Sequence, residues 1–190
     1  MGYKIHLAYV AARLAKDIHK GLVDKAGKDY FEGHLATVGG NGYDWKGKTI
    51  GFLHDVAEDT EYSVKDVIRL LKRGLKEWKA KPDEQDWMND FIEIITQYPN
   101  ERLHLPSKEE WNDIEEALNL LNSRTAKNRE EYIQRFKGHF LAIKVKMNDL
   151  RHNMDISRIP NPTEKDYARI ERYQKEYNTL MDMFRELCEY

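Results

Sequence analysis

The sequence predicts an all-α protein, and three observations support this fold class. Apolar residues recur at the three- and four-residue spacing of amphipathic helices through most of the chain. No segment shows a sustained alternation of polar and apolar residues, and the strand candidate 49–53 is short and runs into a helical pattern. Helix-capping patterns at Ser63 and Ser107 precede apolar runs. We therefore predict roughly eight to ten helices.

The helices are separated by polar or glycine-rich connections. Residues 24–30 form a polar loop, and the glycine-rich stretch 39–47 is interpreted as a surface loop because it lacks the spacing of a phosphate-binding loop. In the segment that begins at His139, we expect Phe140 and Ile143 to face the core. The expected helical segments, in chain order, are 5–18, 31–38, 51–60, 64–71, 86–98, 107–121, 129–137, 139–154 and 163–187.

Length and composition indicate one soluble domain. The 190 residues suffice for a hydrophobic core, and the formal net charge of −2 gives no sign of a nucleic-acid-binding surface. Cys188 is the only cysteine, which excludes a disulfide framework and a cysteine-based metal site. Residues 1–9 lack a signal-peptide pattern, and no apolar run has membrane-spanning length. We expect a cytoplasmic monomer or homodimer that binds neither nucleic acid nor a membrane.

The most informative stretch is 51–60, which reads Gly-Phe-Leu-His-Asp-Val-Ala-Glu-Asp-Thr. Its four ionisable side chains are those of His54, Asp55, Glu58 and Asp59. In a helix, positions three and four apart share a face, so these side chains come together. Three carboxylates and an imidazole in such proximity resist burial unless a cation lies among them. A divalent metal accounts for the set, and the alternative is a helix end with an acidic, solvated face.

The order of His34, then the pair His54 and Asp55, then Asp149 resembles the H…HD…D pattern of HD-domain metal-dependent phosphohydrolases. More narrowly, residues 53–60 resemble the LHDVxEDT signature of the hydrolase half of RelA/SpoT-type proteins. Those hydrolases remove the 3′-diphosphate from the alarmones ppGpp and pppGpp, usually with manganese.

Other stretches extend the resemblance. Residues 145–154 resemble the VKLADRLHNM helix of these hydrolases, and residues 19–21 and 25–27 resemble their HxG and K-S/A-G stretches. The chain has no room for a synthetase half, so it is similar to stand-alone small alarmone hydrolases.

The resemblance implies an HD-domain helical bundle in which residues 1–190 form one domain, with an insertion within 72–111. It implies that one divalent ion is held by four residues, namely His34, His54, Asp55 and Asp149. Imidazole and carboxylate ligands together favour a borderline transition metal, and we expect manganese, with iron, zinc or magnesium as alternatives. An ion with open positions would activate water for attack on phosphorus.

The resemblance also implies roles for other side chains near the metal. Glu58 and Asp59 are expected to orient the attacking water or to accept its proton. Lys25, Asn153 and Lys165 are expected to contact the nucleotide substrate. His152 is a candidate for orienting Asp149, and His19 is interpreted as structural.

Departures from the family pattern concern the substrate pocket rather than the metal ligands. Leu35 stands where the family usually has proline after the histidine, and Gly33 is an extra residue before His34. Leu22 replaces an expected glutamine, and Ile156 replaces an expected threonine.

Two other functions remain alternatives. The first is an HD phosphohydrolase that acts on another small phosphate ester, such as a nucleoside 5′-monophosphate. The second is a non-catalytic module that senses a nucleotide without cleaving it. Taken singly, His34 could be an ordinary buried polar residue and Asp149 a partner of Lys146 or Arg151.

Overall fold

The computed structural model describes residues 5–77 and 105–189. Within these ranges the fold is all-α and contains no β-strand, so the predicted fold class, with roughly eight to ten helices, is confirmed. The helix predicted at 86–98, and most of the stretch 72–111, lie outside the described residues. The elements are α1 (Ile5–Ile18), a π-helical segment (Phe31–Leu35) that continues into α2 (Ala36–Gly40), α3 (Trp45–Leu53), α4 (Val56–Asp59), α5 (Val64–Glu77), α6 (Lys108–Leu121), α7 (Arg129–Gln134), α8 (Phe140–Asn153) and α9 (Glu164–Cys188).

Helix α3 lies at the centre of the fold and packs against α1, α2, α6 and α8. Its residues from 49 to 53 are all buried, among them Ile50 and Phe52. Burial of an apolar side chain of this size contributes about 1.5–3 kcal/mol to stability. Because residues 49–53 have no exposed face, this stretch lacks amphipathic periodicity, which explains why it read as a strand candidate.

The loop predicted at 39–47 is shorter than expected. Gly39 and Gly40 complete α2, and α3 begins at Trp45, which leaves residues 41–44 as the connection. A Cβ on Gly39 would lie 2.3 Å from the ring of Phe52, so the glycine permits the close approach of α2 to α3. The side chain of Asp44 accepts a hydrogen bond of 2.7 Å from the backbone N–H of residue 47 and caps α3.

The continuous helix predicted for 51–60 is divided in two. Helix α3 ends at Leu53 and α4 begins at Val56, so His54 and Asp55 occupy the junction between them. Both junction residues keep right-handed helical dihedral angles, but the regular hydrogen-bond series is interrupted there. The junction is what places the two side chains at one end of α3 rather than along its face.

The prediction that Phe140 faces the core is wrong, because its side chain is 46% exposed. It is the first residue of α8, where it packs against the ring of Phe184 on α9 at 5.4 Å between centroids. Ile143, on the same helix, is buried as expected, and Met147 and Leu150 are buried as well. Across 5–77 and 105–189, no helix combines the length and apolar character needed to cross a bilayer.

Candidate metal centre

Four ionisable side chains from three separate parts of the chain converge beside α3. His34 comes from the π-helical segment, His54 and Asp55 from the junction between α3 and α4, and Asp149 from α8. The Nε2 atoms of the two histidines lie 3.3 Å apart. The Oδ2 atom of Asp55 lies 3.2 Å from the Nε2 atom of His34 and 3.1 Å from that of His54. The Oδ1 atom of Asp149 lies 3.3 Å from the Nε2 atom of His34 and 3.6 Å from that of His54.

These separations fit ligands that share one ion. Donor atoms bound at about 2.0–2.2 Å lie roughly 2.8–3.6 Å apart when the angles at the metal are octahedral or tetrahedral. His34, His54 and Asp149 form a buried group that could hold a divalent metal. Asp55 Oδ2 is close to both histidine nitrogens but does not belong to this group of three.

The carboxylates of this cluster are ionised at neutral pH. Burial alone raises the pKa of Asp149, but the positive charge of Lys146 and hydrogen bonds from the two histidines hold it well below its usual range. The pKa of Asp55 is also well below its usual range: its burial opposes ionisation, and the charge of His54 and hydrogen bonds from His34 and His54 outweigh that effect. Burial alone lowers the pKa values of His34 and His54, but hydrogen bonds to Asp55 and Asp149 and the charges of these carboxylates raise both above the ordinary value, so Lys146 and the imidazoles together compensate the two negative charges.

Hydrogen bonds with neighbouring groups orient His54, Asp149 and Asp55. The Nδ1 atom of His54 lies 2.8 Å from the carbonyl oxygen of Gly51, so Nδ1 donates to that oxygen and Nε2 is the ring nitrogen that faces the cluster. Asp149 accepts hydrogen bonds from Lys146 Nζ at 2.6 Å and from Asn153 Nδ2 at 2.5 Å. The hydroxyl group of Tyr30 donates to Asp55 Oδ2 at 2.8 Å.

His152 contacts His34 rather than Asp149. The two Nδ1 atoms lie 2.8 Å apart and the rings stack with centroids 5.0 Å apart. Burial and the neighbouring positive charges lower the pKa of His152 to about 4, so its ring is neutral at neutral pH. A neutral ring at this position can accept the Nδ1 proton of His34.

A cavity of about 210 Å³ opens beside the cluster. His34, Asp55 and Asp149 line its inner wall. Further lining residues of different charge surround them, namely Lys25, Tyr30, Glu58, Asp59, Arg129, Asn153 and Tyr173. The wall of the cavity therefore carries both cationic and anionic side chains.

The predicted catalytic acids both line this cavity. The Oε2 atom of Glu58 accepts a hydrogen bond of 3.2 Å from the backbone N–H of Ser123, which fixes its carboxylate. Asp59 is exposed, and desolvation together with the charge of Asp55 raises its pKa. A carboxylate with a raised pKa is better suited to accept a proton near neutral pH.

The predicted substrate residues divide into two groups. Lys25 and Asn153 both line the cavity, and Lys25 Nζ donates a hydrogen bond of 3.2 Å to Asn153 Oδ1. Lys165 lies exposed in the first turn of α9 and is not among the residues that line the cavity. His19 is buried against Tyr30, with ring centroids 5.2 Å apart, and Nδ1 lies 2.8 Å from the carbonyl oxygen of Ala15.

Sequence reasoning missed several residues that line the cavity, among them Tyr30, Arg129 and Arg158. The first ends a loop, the second begins α7, and the third follows α8 in a short 3₁₀ turn, Ile156–Arg158. Residues at the ends of helices and loops are part of neither an amphipathic period nor a spaced metal-ligand motif. Only the packing of distant segments brings these three together, and no local pattern could have identified them.

No family model matches this chain. A search of curated proteins likewise finds no significant relative.

Proposed function

We propose that this chain is a metal-dependent phosphohydrolase of the HD type that removes the 3′-diphosphate from guanosine 3′,5′-bis(diphosphate) or a related 3′-phosphorylated nucleotide. The observation that supports this most is the convergence of His34, His54, Asp55 and Asp149, in which each histidine Nε2 lies 3.1–3.6 Å from the other donor atoms. The LHDVxEDT-like stretch supports the narrower choice of substrate.

The metal that we propose is manganese. Two imidazoles and two carboxylates are a donor set suited to a borderline divalent ion rather than to calcium, and the sequence excludes thiolate ligands at this site. A bound ion of this kind supplies charge neutralisation at phosphorus and a water of lowered pKa. The four residues would hold it, with the cavity side left for substrate.

Hydrolysis joins a water oxygen to the phosphorus next to the ribose and breaks the bond from that phosphorus to the 3′-oxygen. Glu58 or Asp59 accepts the proton that the attacking water loses. The 3′-oxygen leaves and takes up a proton, so the products are a nucleoside 5′-diphosphate and pyrophosphate. Lys25, at the cavity wall, neutralises the phosphate charge, and Asn153 offers a hydrogen bond to the ribose or phosphate.

The experiment that tests this proposal is incubation of the manganese-loaded protein with ppGpp. We expect GDP and pyrophosphate in equal amounts, and we expect EDTA to abolish turnover. A protein with bound manganese that leaves ppGpp intact would contradict the proposed substrate.

A panel of phosphate esters separates the alternatives. Turnover of nucleoside 5′-monophosphates without turnover of ppGpp would identify an HD phosphohydrolase of another specificity. Binding of ppGpp without turnover of any substrate would identify a sensing module.

A further inference from the structure

Arg158 joins three segments that surround the metal centre. Its Nη2 atom donates to Asp24 Oδ2 at 2.5 Å and to the carbonyl oxygen of Gly33 at 2.8 Å. Its Nη1 atom donates to His152, at 3.0 Å from the ring Nδ1 and 3.1 Å from the carbonyl oxygen. The side chain is 20% exposed, and that of its partner Asp24 is 3% exposed.

The contact with His152 determines which nitrogen of His34 carries a proton. A guanidinium group can only donate, so the Nδ1 atom of His152 is an acceptor. The hydrogen bond of 2.8 Å between the two Nδ1 atoms therefore has His34 as its donor. With a proton held on Nδ1, His34 leaves Nε2 as the nitrogen that would bind a metal ion.

The contact with Asp24 organises the loop that carries Lys25. The Oδ1 atom of Asp24 accepts hydrogen bonds of 2.9 Å from the backbone N–H groups of Ala26 and Lys28. Its Oδ2 atom is held by Arg158. One guanidinium group thus connects the turn that presents Lys25 to the cavity with the helix end that supports His34.

We propose that Arg158 is a positioning residue, which holds the metal ligand His34 in its binding tautomer and fixes the Lys25 loop beside it. The part that concerns Lys25 rests on the proposed function, whereas the part that concerns His34 does not. Arginine is required because one planar group must donate in two directions, and lysine offers only a single nitrogen.

The alternative is a buried ion pair that stabilises the fold and has no effect on the metal site. The experiment compares Arg158→Gln and Arg158→Lys with Arg151→Gln as the matched control. Arg151 precedes His152 on α8, but its guanidinium donates to the hydroxyl of Tyr177 at 2.9 Å and takes no part in these contacts. A double variant, Asp24→Asn with Arg158→Gln, removes both charges and leaves no buried carboxylate unpaired.

Two readouts need no nucleotide. Calorimetric titration with manganese should show affinity lower by about 10–100-fold in the Arg158 variants and the double variant, and unchanged in Arg151→Gln. Nitrogen-15 NMR of the metal-free protein should show Nδ1 of His34 fully protonated in the wild type and only partly protonated in the variants.

A double variant that folds, binds manganese as tightly as the wild type and keeps the Nδ1–H tautomer would overturn the proposal. The tautomer is measured without metal or substrate, so it decides the role of Arg158 even if ppGpp is not cleaved. The role in fixing the Lys25 loop is tested by hydrolysis of ppGpp. In the Arg158 variants we expect KM to rise more than kcat falls, because Arg158 contacts the loop and not the reacting atoms.

Discussion

Lys146 Nζ lies 2.6 Å from Asp149 Oδ2, one turn away on α8, and both side chains are buried. Burial alone lowers the pKa of Lys146, but the charge of Asp149 more than offsets it and raises the pKa above its ordinary value. The lysine holds one oxygen of the carboxylate, and the other oxygen faces the histidines. Lys146 therefore makes it possible to keep Asp149 ionised before a metal binds.

Lys146→Met should destabilise the metal-free protein by about 3–5 kcal/mol, because it leaves a buried carboxylate without its cation. Manganese should recover part of this loss, so its stabilising effect should be larger in the variant than in the wild type. Urea unfolding in EDTA and in manganese measures both effects. The control is Lys144→Met, which loses only a contact 5.1 Å from the ring of Phe184. Equal stability of the two variants in EDTA would contradict this role of Lys146.

Substitution of the cavity acids should separate catalysis from metal binding. Glu58→Gln and Asp59→Asn should keep manganese affinity, since neither residue belongs to the proposed ligand set. Substitution of the residue that serves as the base should lower kcat by about 10²–10⁴-fold. Steady-state hydrolysis of ppGpp gives the rate, and Glu61→Gln is the control on the same surface. Wild-type kcat in both variants would show that the base lies elsewhere.

Gly33→Ala tests the packing around the π-helical segment. A Cβ at this position would lie 2.5 Å from Asp24 Oδ2 and 3.1 Å from Lys28 Cβ. We expect a loss of about 1–3 kcal/mol, because the new methyl group must displace the carboxylate that Arg158 holds. Gly40→Ala is the control, since nothing lies within 4 Å of the position that its new Cβ would occupy. Thermal unfolding measures both, and equal midpoints would contradict the predicted overlap.

Asp24→Asn should reveal a pH-dependent contribution to stability. Burial alone raises the pKa of Asp24, but backbone hydrogen bonds from Lys28 and Ala26 and the charge of Arg158 lower it below its ordinary value. The carboxylate therefore stabilises the fold above its unfolded-state pKa of about 3.9, and this contribution is lost as the pH falls through the folded-state pKa.

We expect the free energy of unfolding of the wild type to exceed that of Asp24→Asn by about 1–3 kcal/mol at pH 7. This difference should become smaller below about pH 4. Urea unfolding in EDTA across this range measures it. Asp182→Asn breaks an exposed pair with Arg185 and should change stability by less than about 1 kcal/mol. A constant difference between wild type and Asp24→Asn from pH 7 to pH 3 would refute the assignment.

The fold was predictable where one face of a helix is exposed. Helix α5 buries Val67, Ile68 and Leu71 on one side and exposes charged residues on the other, so its period is visible in the sequence. Residues 49–53 of helix α3 are all buried and lack that period. The division between α3 and α4 was missed because the residues of the junction keep helical dihedral angles.

The candidate site was predictable only in part. His54 and Asp55 are adjacent in sequence, whereas His34 and Asp149 could be added only through resemblance to a family. The resemblance predicts that Gly33 is an extra residue, and Gly33 lies within the π-helical segment, whose hydrogen bonds span one residue more than those of an α-helix. The contacts of Arg158 depend on packing between distant segments and have no local pattern.

The shared metal site is tested most directly by the metal content of the protein, measured by elemental analysis after metal removal and dialysis against manganese. We expect one bound ion per chain in the wild type. We expect almost none when Asp149 is replaced by alanine, with one ion retained in an Asp182→Ala control. Less than about a tenth of an equivalent in a folded wild-type protein, or full occupancy in Asp149→Ala, would contradict the proposed site.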